Sequence, residues 1–253
     1  MRVRLPNGFI DGQDYFKFAQ IDELRGKQQN YLANRELVVG NIGHIPKILE
    51  DMILSLETEE GLTWKGNISE GIKKLPTGDI ETLLVKIREN TYGPRYYHEA
   101  KCPNCEKVIK NLRLDLDKLK LTEMSIQELL EKKTLTLPKS ALEIELKPSY
   151  LEDLFKVVKI SKGKQDKLIT SLIAIAVKRL GNETNITEES IGNIPAKDLA
   201  FLQEEIKKLK LEGCIDTNLQ IECDNCSKEF EVKLNCFDAD FFDPTKGSMN
   251  TSI

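Results

Sequence analysis

A chain of 253 residues can bury a substantial core without disulfides, so its six cysteines are not there to rescue a small fold. Hydrophobic residues at 40% and charged residues at 31% are the balance of a globular protein rather than a disordered or membrane one, and the longest apolar run, Leu172 to Val177, is far too short for a bilayer. A formal net charge of −4 speaks against electrostatic capture of nucleic acid as the main activity.

The first residues, Met1-Arg2-Val3-Arg4-Leu5-Pro6-Asn7-Gly8, carry no apolar stretch of signal-peptide length behind their basic start. This predicts a protein that is not secreted and folds in a reducing compartment, where paired Cys-x-x-Cys motifs point to metal or redox chemistry before disulfides.

Along the chain one plan is read twice. Leu5-Pro6-Asn7-Gly8, Gly26-Lys27-Gln28, Asn67-Ile68-Ser69-Glu70, Pro76 with Asp79, and Cys102-Pro103-Asn104-Cys105 are followed, in the same order, by a second series. That series is Leu137-Pro138-Lys139-Ser140, Gly163-Lys164-Gln165, Asn185-Ile186-Thr187-Glu188, Pro195 with Asp198, and Cys223-Asp224-Asn225-Cys226. A short extended segment is predicted near each Leu-Pro, since Leu142, Ile144 and Leu146 alternate with the period of a strand. After Pro76, with Asp79 near a helix start, Ile80, Leu83, Leu84 and Ile87 fall on one helical face, and Tyr92-Gly93-Pro94 ends the helix. Leu168, Leu172, Ile175 and Leu180 predict a further buried helix; Leu199, Leu202, Ile206 and Leu209 then form a stripe after Pro195 that stops at Gly213.

Each Cys-x-x-Cys lies between strand-like pieces: Tyr96–Lys101 before the first and Leu112, Leu114, Leu116 after it; Leu219 and Ile221 before the second and Phe230, Val232, Leu234 after it. The reading is a hairpin tipped by two thiolates, a zinc knuckle, made twice. One knuckle supplies two ligands and tetrahedral zinc takes four, so Cys102, Cys105, Cys223 and Cys226 are predicted to share one structural zinc ion. The gap between the pairs far exceeds the roughly 15–20 residues of a simple zinc ribbon, as an inserted domain would explain. Against this stand a thioredoxin-like redox pair, which needs a helix where these sequences alternate like strands, disulfides, which need an oxidising compartment, and unpaired core cysteines. Cys214 and Cys236 are read as buried or partly buried thiols.

No catalytic residues emerge. His98, four residues before Cys102, is an alternate or outer ligand at most and otherwise a surface or packing residue, and His44 is read as part of a loop. The zinc-deaminase pattern, a phosphate loop around Gly163-Lys164 and a Gly-x-Ser-x-Gly elbow are all absent. A zinc-ribbon nucleic-acid-binding accessory factor is the alternative reading, resting on Arg95, Tyr96, Tyr97, Lys107, Lys110 and Arg113 beside the first knuckle; Glu222, Asp224, Glu229 and Glu231 beside the second would repel phosphate.

Leu75-Pro76-Thr77-Gly78-Asp79, Leu83-Leu84, Ile87-Arg88, Thr91-Tyr92-Gly93, Cys102-Pro103-Asn104-Cys105 and Leu114-Asp115-Leu116 together resemble the baseplate hub and hub-assembly proteins of T-even-type contractile phages. The resemblance is carried by the middle of the chain and more faintly by both Leu-Pro openings; Asp224 stands in the second knuckle where the first has Pro103. It implies a non-enzymatic protein made in the host cytoplasm and placed in the virion tail baseplate. Its implied partners are the hub and tape-measure proteins, with oligomers only inside an assembly; the short apolar runs predict no membrane span, and the net charge speaks against nucleic acid as a partner.

The expected fold is α+β, in two related halves that each hold a short β element, a helical segment and a knuckle hairpin, joined at one zinc-ribbon-like site. The first repeat is placed at residues 1–125, the second at 126–236 and a C-terminal tail at 237–253. Phe241-Phe242-Asp243-Pro244 in that tail are read either as part of a docking arm or as a single aromatic anchor on a frayed end.

Overall fold

A computed structural model describes residues 1–34, 42–161, 168–208 and 211–244. Its first sheet is antiparallel, in the order β1 (Arg2–Asp11), β2 (Asp14–Ile21), β3 (Ile53–Glu57). Four helices cover it: α1 (Gly26–Ala33), α2 (Ile45–Met52), α3 (Ile68–Lys74) and α4 (Thr77–Tyr92). The predicted stripe of α4 is the heart of this core, with Ile80, Leu83, Leu84 and Ile87 all fully buried, and the helix ends at Gly93, whose φ of 81° suits glycine. His44 lies in the turn that leads into α2, fully buried, with no hydrogen-bond partner for either ring nitrogen. Burial takes its pKa down to about 4 against the opposing pull of Asp238, so the ring is neutral at pH 7.

Next comes a hairpin, β4 (Arg95–Lys101) with β5 (Val108–Asp115), then the short β6 (Leu121–Thr122) and α5 (Ile126–Leu130), which Ser125 and Glu128 cap reciprocally. A second three-stranded sheet has the order β7 (Lys133–Thr136), β8 (Glu143–Leu146), β9 (Val177–Leu180). It is accompanied by α6 (Leu151–Ser161), α7 (Leu168–Ala176), α8 (Glu188–Gly192) and α9 (Ala196–Lys208). Leu137, Ile144, Leu146, Ile173, Val177, Leu180, Ile191, Ile194 and Leu202 form a second, smaller core. Helix α7 departs from the predicted stripe: Leu172 is 49% exposed, Ser171 and Ile173 face inward, and Leu180 belongs to β9. The run Leu168–Ala176 is so apolar that its composition could not mark which face is buried. Gly163-Lys164-Gln165 and Leu209 lie outside the described residues.

Both Leu-Pro segments, the first a bulge within β1 and the second a turn before β8, are held by a carboxylate in the first turn of a distant helix. Asp79, three residues past Pro76, accepts the backbone N–H groups of Asn7 at 2.7 Å and Gly8 at 2.8 Å. Asp198, three residues past Pro195, accepts those of Lys139 at 2.7 Å and Ser140 at 2.9 Å. A helix N-terminus favours a negative charge at this position. At Asp198 burial opposes ionisation, but the amides of Lys139 and Ser140 prevail and hold the acid below the usual carboxylate range. Within β1, Pro6 sits in an irregularity of the β1–β2 register between Arg4 and Phe9, and the buried Lys17 ammonium donates to the carbonyls of Pro6 and Met124.

After α9 the chain returns to the first core. β10 (Cys214–Ile215) pairs with β6, and a second hairpin follows, β11 (Asn218–Glu222) with β12 (Glu229–Lys233). Asn7 forms a seam with this returning strand: its amide nitrogen donates to the Gly213 carbonyl at 2.8 Å and its amide oxygen accepts the Gly213 N–H. The backbones are so close that a Cβ on Gly78 would lie 2.0 Å from the Gly213 oxygen. Ile215, Leu234, Cys236, Phe241 and Phe242 complete the first core, so the aromatic pair is an anchor on the chain's own body, while residues 245–253 of the tail lie outside the described residues. Arg88 is fully buried beside this anchor, its guanidinium carbon 4.8 Å from the Tyr96 ring centre, 5.1 Å from Tyr92 and 5.5 Å from Phe241.

The seam makes stability depend on pH. Burial lifts Glu81 to about 7, with Glu212 adding to the rise and Lys233 opposing it; burial also lifts Asp79 to about 7 against the amides of Asn7 and Gly8. An acid whose folded pKa is raised binds its proton more tightly in the folded state. Its stabilising effect is therefore complete below the unfolded pKa near 4 and is lost as pH rises to about 7. Urea midpoints measured from pH 4 to 8 should fall across this window, and Glu81→Gln should flatten the slope.

Candidate metal centre

Both Cys-x-x-Cys motifs cap antiparallel hairpins, and the two turns are built alike. In the first, the Cys102 N–H donates to the Lys107 carbonyl at 2.9 Å, the Glu106 N–H donates to the Cys102 carbonyl at 2.9 Å, and Glu106 adopts a left-handed φ of 61°. In the second, the Cys223 N–H donates to the Lys228 carbonyl at 3.0 Å, the Ser227 N–H donates to the Cys223 carbonyl at 2.8 Å, and Ser227 has a φ of 54°. Such a turn folds each pair of sulfurs to one side and aims backbone amides at them. Both knuckles are followed by strands, so the helix a thioredoxin-like redox pair requires is missing at each.

The hairpins lie face to face. Ala100, Ile109 and Leu112 of the first pack with Ile221, Phe230 and Val232 of the second around the sulfurs. Outward-pointing residues of β11 and β12 are exposed, and Lys107 reaches across to Asp224 at 3.2 Å.

All four predicted cysteines meet at this joint. The four sulfurs lie within 4.8 Å of one another, with Cys102 to Cys226 at 3.8 Å and Cys105 to Cys223 at 3.7 Å. A tetrahedral ion with sulfur at about 2.3 Å requires sulfurs about 3.8 Å apart, so the set fits a four-coordinate soft-ligand site with no position left open. Cys102 and Cys223 are fully buried, whereas Cys105 and Cys226 are half-buried.

The environment treats the sulfurs unequally. An Asn225 side-chain hydrogen bond, helped by the Lys107 N–H, brings Cys105 down to about 6. Burial works against ionising Cys102, but the amides of Cys105 and Asn104 outweigh it and hold that thiol below its ordinary value. The Lys228 N–H favours the Cys226 thiolate, yet burial and the three neighbouring sulfurs push that thiol up to about 12. Four thiolates this close repel one another, and a divalent cation relieves the repulsion. Asn225 was missed as a contributor on sequence alone, although asparagine precedes the second cysteine of both knuckles.

The remaining candidates fall outside the cluster. His98 stacks on Tyr96 with ring centres 6.1 Å apart and is not a member of the four-sulfur group. Cys214 is half-buried and Cys236 fully buried, and burial pushes the Cys236 thiol well up. Of the residues read as a nucleic-acid face, Tyr96 is buried against Phe241 and cannot stack on a base, and Arg113 is paired with Asp115. Among the described residues no helix is long and apolar enough to cross a membrane.

Searches of curated proteins and of solved structures give no match. Residues 65–243, which include the Pro76–Asp79 turn, both hairpins and the aromatic anchor, match the family described as T4 bacteriophage base plate protein, and the chain belongs to that family.

Proposed function

We propose that this chain is a non-enzymatic structural or assembly component of the tail baseplate hub, held rigid by one zinc ion on Cys102, Cys105, Cys223 and Cys226. The observation that carries the reading is the convergence of four sulfurs from two hairpins, more than a hundred residues apart in sequence, in a member of a baseplate family. Zinc suits an all-thiolate tetrahedron of this size, and a closed set of four protein ligands suits a structural ion rather than a catalytic one. Ligand binding free energy then becomes folding free energy, which stiffens a part that must keep its shape under load.

Two related halves underlie the proposal, with residues 1–125 and 126–236 as the units of the repeat and 237–253 as the tail. In support are the matching carboxylate-to-amide bonds of Asp79 and Asp198 to the two Leu-Pro segments and the matching knuckle turns at Glu106 and Ser227. The return of residues 215–242 to the first core makes these units of sequence rather than separately packed bodies. The partners proposed are the hub and tape-measure proteins, met first in the host cytoplasm. A nucleic-acid role is less well supported, because Tyr96 is buried and Lys107 is paired with Asp224.

An affinity-tagged chain expressed during infection tests the reading. It should co-purify with hub proteins and be found by labelling at the tail tip of particles or of assembly intermediates. Recovery free of tail proteins, together with a salt-dependent mobility shift on DNA, would overturn it.

A further inference from the structure

We propose that oxidation converts the four-sulfur site into two disulfides that cross between the hairpins, Cys102–Cys226 and Cys105–Cys223, so that the joint outlives its metal. The inference rests on the zinc reading for the starting state and concerns what the same sulfurs do once thiolate is lost as a ligand.

Three features support it. The two sulfur contacts at 3.8 and 3.7 Å both join opposite hairpins. Each of these pairs combines one fully buried sulfur with one half-buried sulfur: Cys102 with Cys226, and Cys223 with Cys105. Finally, the hairpins are held together by contacts that need no metal. These are the packing of Ile109 and Leu112 with Phe230 and Val232 and the Lys107–Asp224 ion pair. The cross-hairpin partner therefore stays at high effective concentration when zinc leaves.

The chemistry follows from this pairing. On the zinc reading all four sulfurs start as thiolates held by the ion, and the accessible one of each pair, Cys105 or Cys226, attacks one oxygen of hydrogen peroxide; the O–O bond breaks, hydroxide leaves and a sulfenic acid forms. The buried thiolate across the joint then attacks the sulfenic sulfur, forming the S–S bond and releasing a second hydroxide. Each peroxide takes two electrons from one pair, so two peroxides oxidise all four sulfurs and the ion departs. The sulfurs must close from 3.7–3.8 Å to about 2.05 Å, a displacement that two turn tips can share. Pairing within each knuckle would instead leave no covalent link between the hairpins.

The test uses the full chain. Metal content is measured first by elemental analysis; the protein is then treated with hydrogen peroxide, remaining thiols are blocked, and the unreduced digest is mapped by mass spectrometry. Release of one zinc per chain with linked peptides Cys102–Cys226 and Cys105–Cys223, reversed by dithiothreitol, is expected. Links within the knuckles, Cys102–Cys105 and Cys223–Cys226, or sulfinic acids at Cys105 and Cys226 without links, overturn the proposal. A second variant isolates the pairing: Cys105→Ser should give the Cys102–Cys226 link, and a Cys223–Cys226 link in its place counts against it. Absence of zinc at the outset would sink the metal reading alone, because the map still decides how the sulfurs pair.

Discussion

Cys102→Ser is expected to lose the metal and to lower stability by roughly 4 kcal/mol or more, among the largest single-residue effects in this chain. Cys102 is fully buried between the hairpins and contacts Cys226 across the joint, so its loss leaves three sulfurs that cannot close a tetrahedron. A chain still joined through Asn7 and Gly213 and through its shared core should remain folded, with a lower melting temperature. Elemental analysis with a thermal melt checks this, and His98→Ala, which alters a residue outside the sulfur group, serves as the control that keeps its metal. Unchanged metal content and melting temperature in Cys102→Ser would contradict the site.

Asp79→Ala should cost about 4 kcal/mol in urea unfolding, because it strands buried donors rather than removing a surface charge. The carboxylate accepts the Asn7 and Gly8 N–H groups and, at 3.2 Å, the Asn7 side-chain amide, all in a buried setting, and Asn7 passes the constraint on to Gly213. Asp198→Ala breaks the equivalent bonds to Lys139 and Ser140, which are only partly buried and lead to no such seam, and should cost about 2 kcal/mol. Equal losses in the two variants would mean that the seam adds nothing.

As a baseplate protein of the virion tail, the chain works among other tail proteins. What could be read before its structure was known depended on whether the signal was local. The cysteine-tipped hairpins were legible because the spacing of two thiols in a hairpin is a local requirement, and the α4 stripe and its Gly93 stop were legible for the same reason. The carboxylates at Asp79 and Asp198 were visible as repeated residues, but their task was not, since each bonds a segment more than fifty residues away. Arg88 and Lys17 are charged residues that sequence places on the surface; aromatic rings shelter the first and backbone carbonyls satisfy the second, and both settings exist only in the assembled core. On α7 nearly every residue is apolar, so periodicity could not distinguish buried Ile173 from exposed Leu172.

The return of Phe241 and Phe242 to a core begun by Val3 and Leu5 bears on how the protein is made. On the ribosome the smaller core, closed by Leu202, can assemble while the larger one still lacks its final side chains. Until residue 242 has cleared the exit tunnel, the strands and helices of the opening segment wait with apolar surface uncovered. A nascent chain arrested before that point should accordingly be captured by chaperones and cut readily by protease, and one arrested well beyond it should resist both.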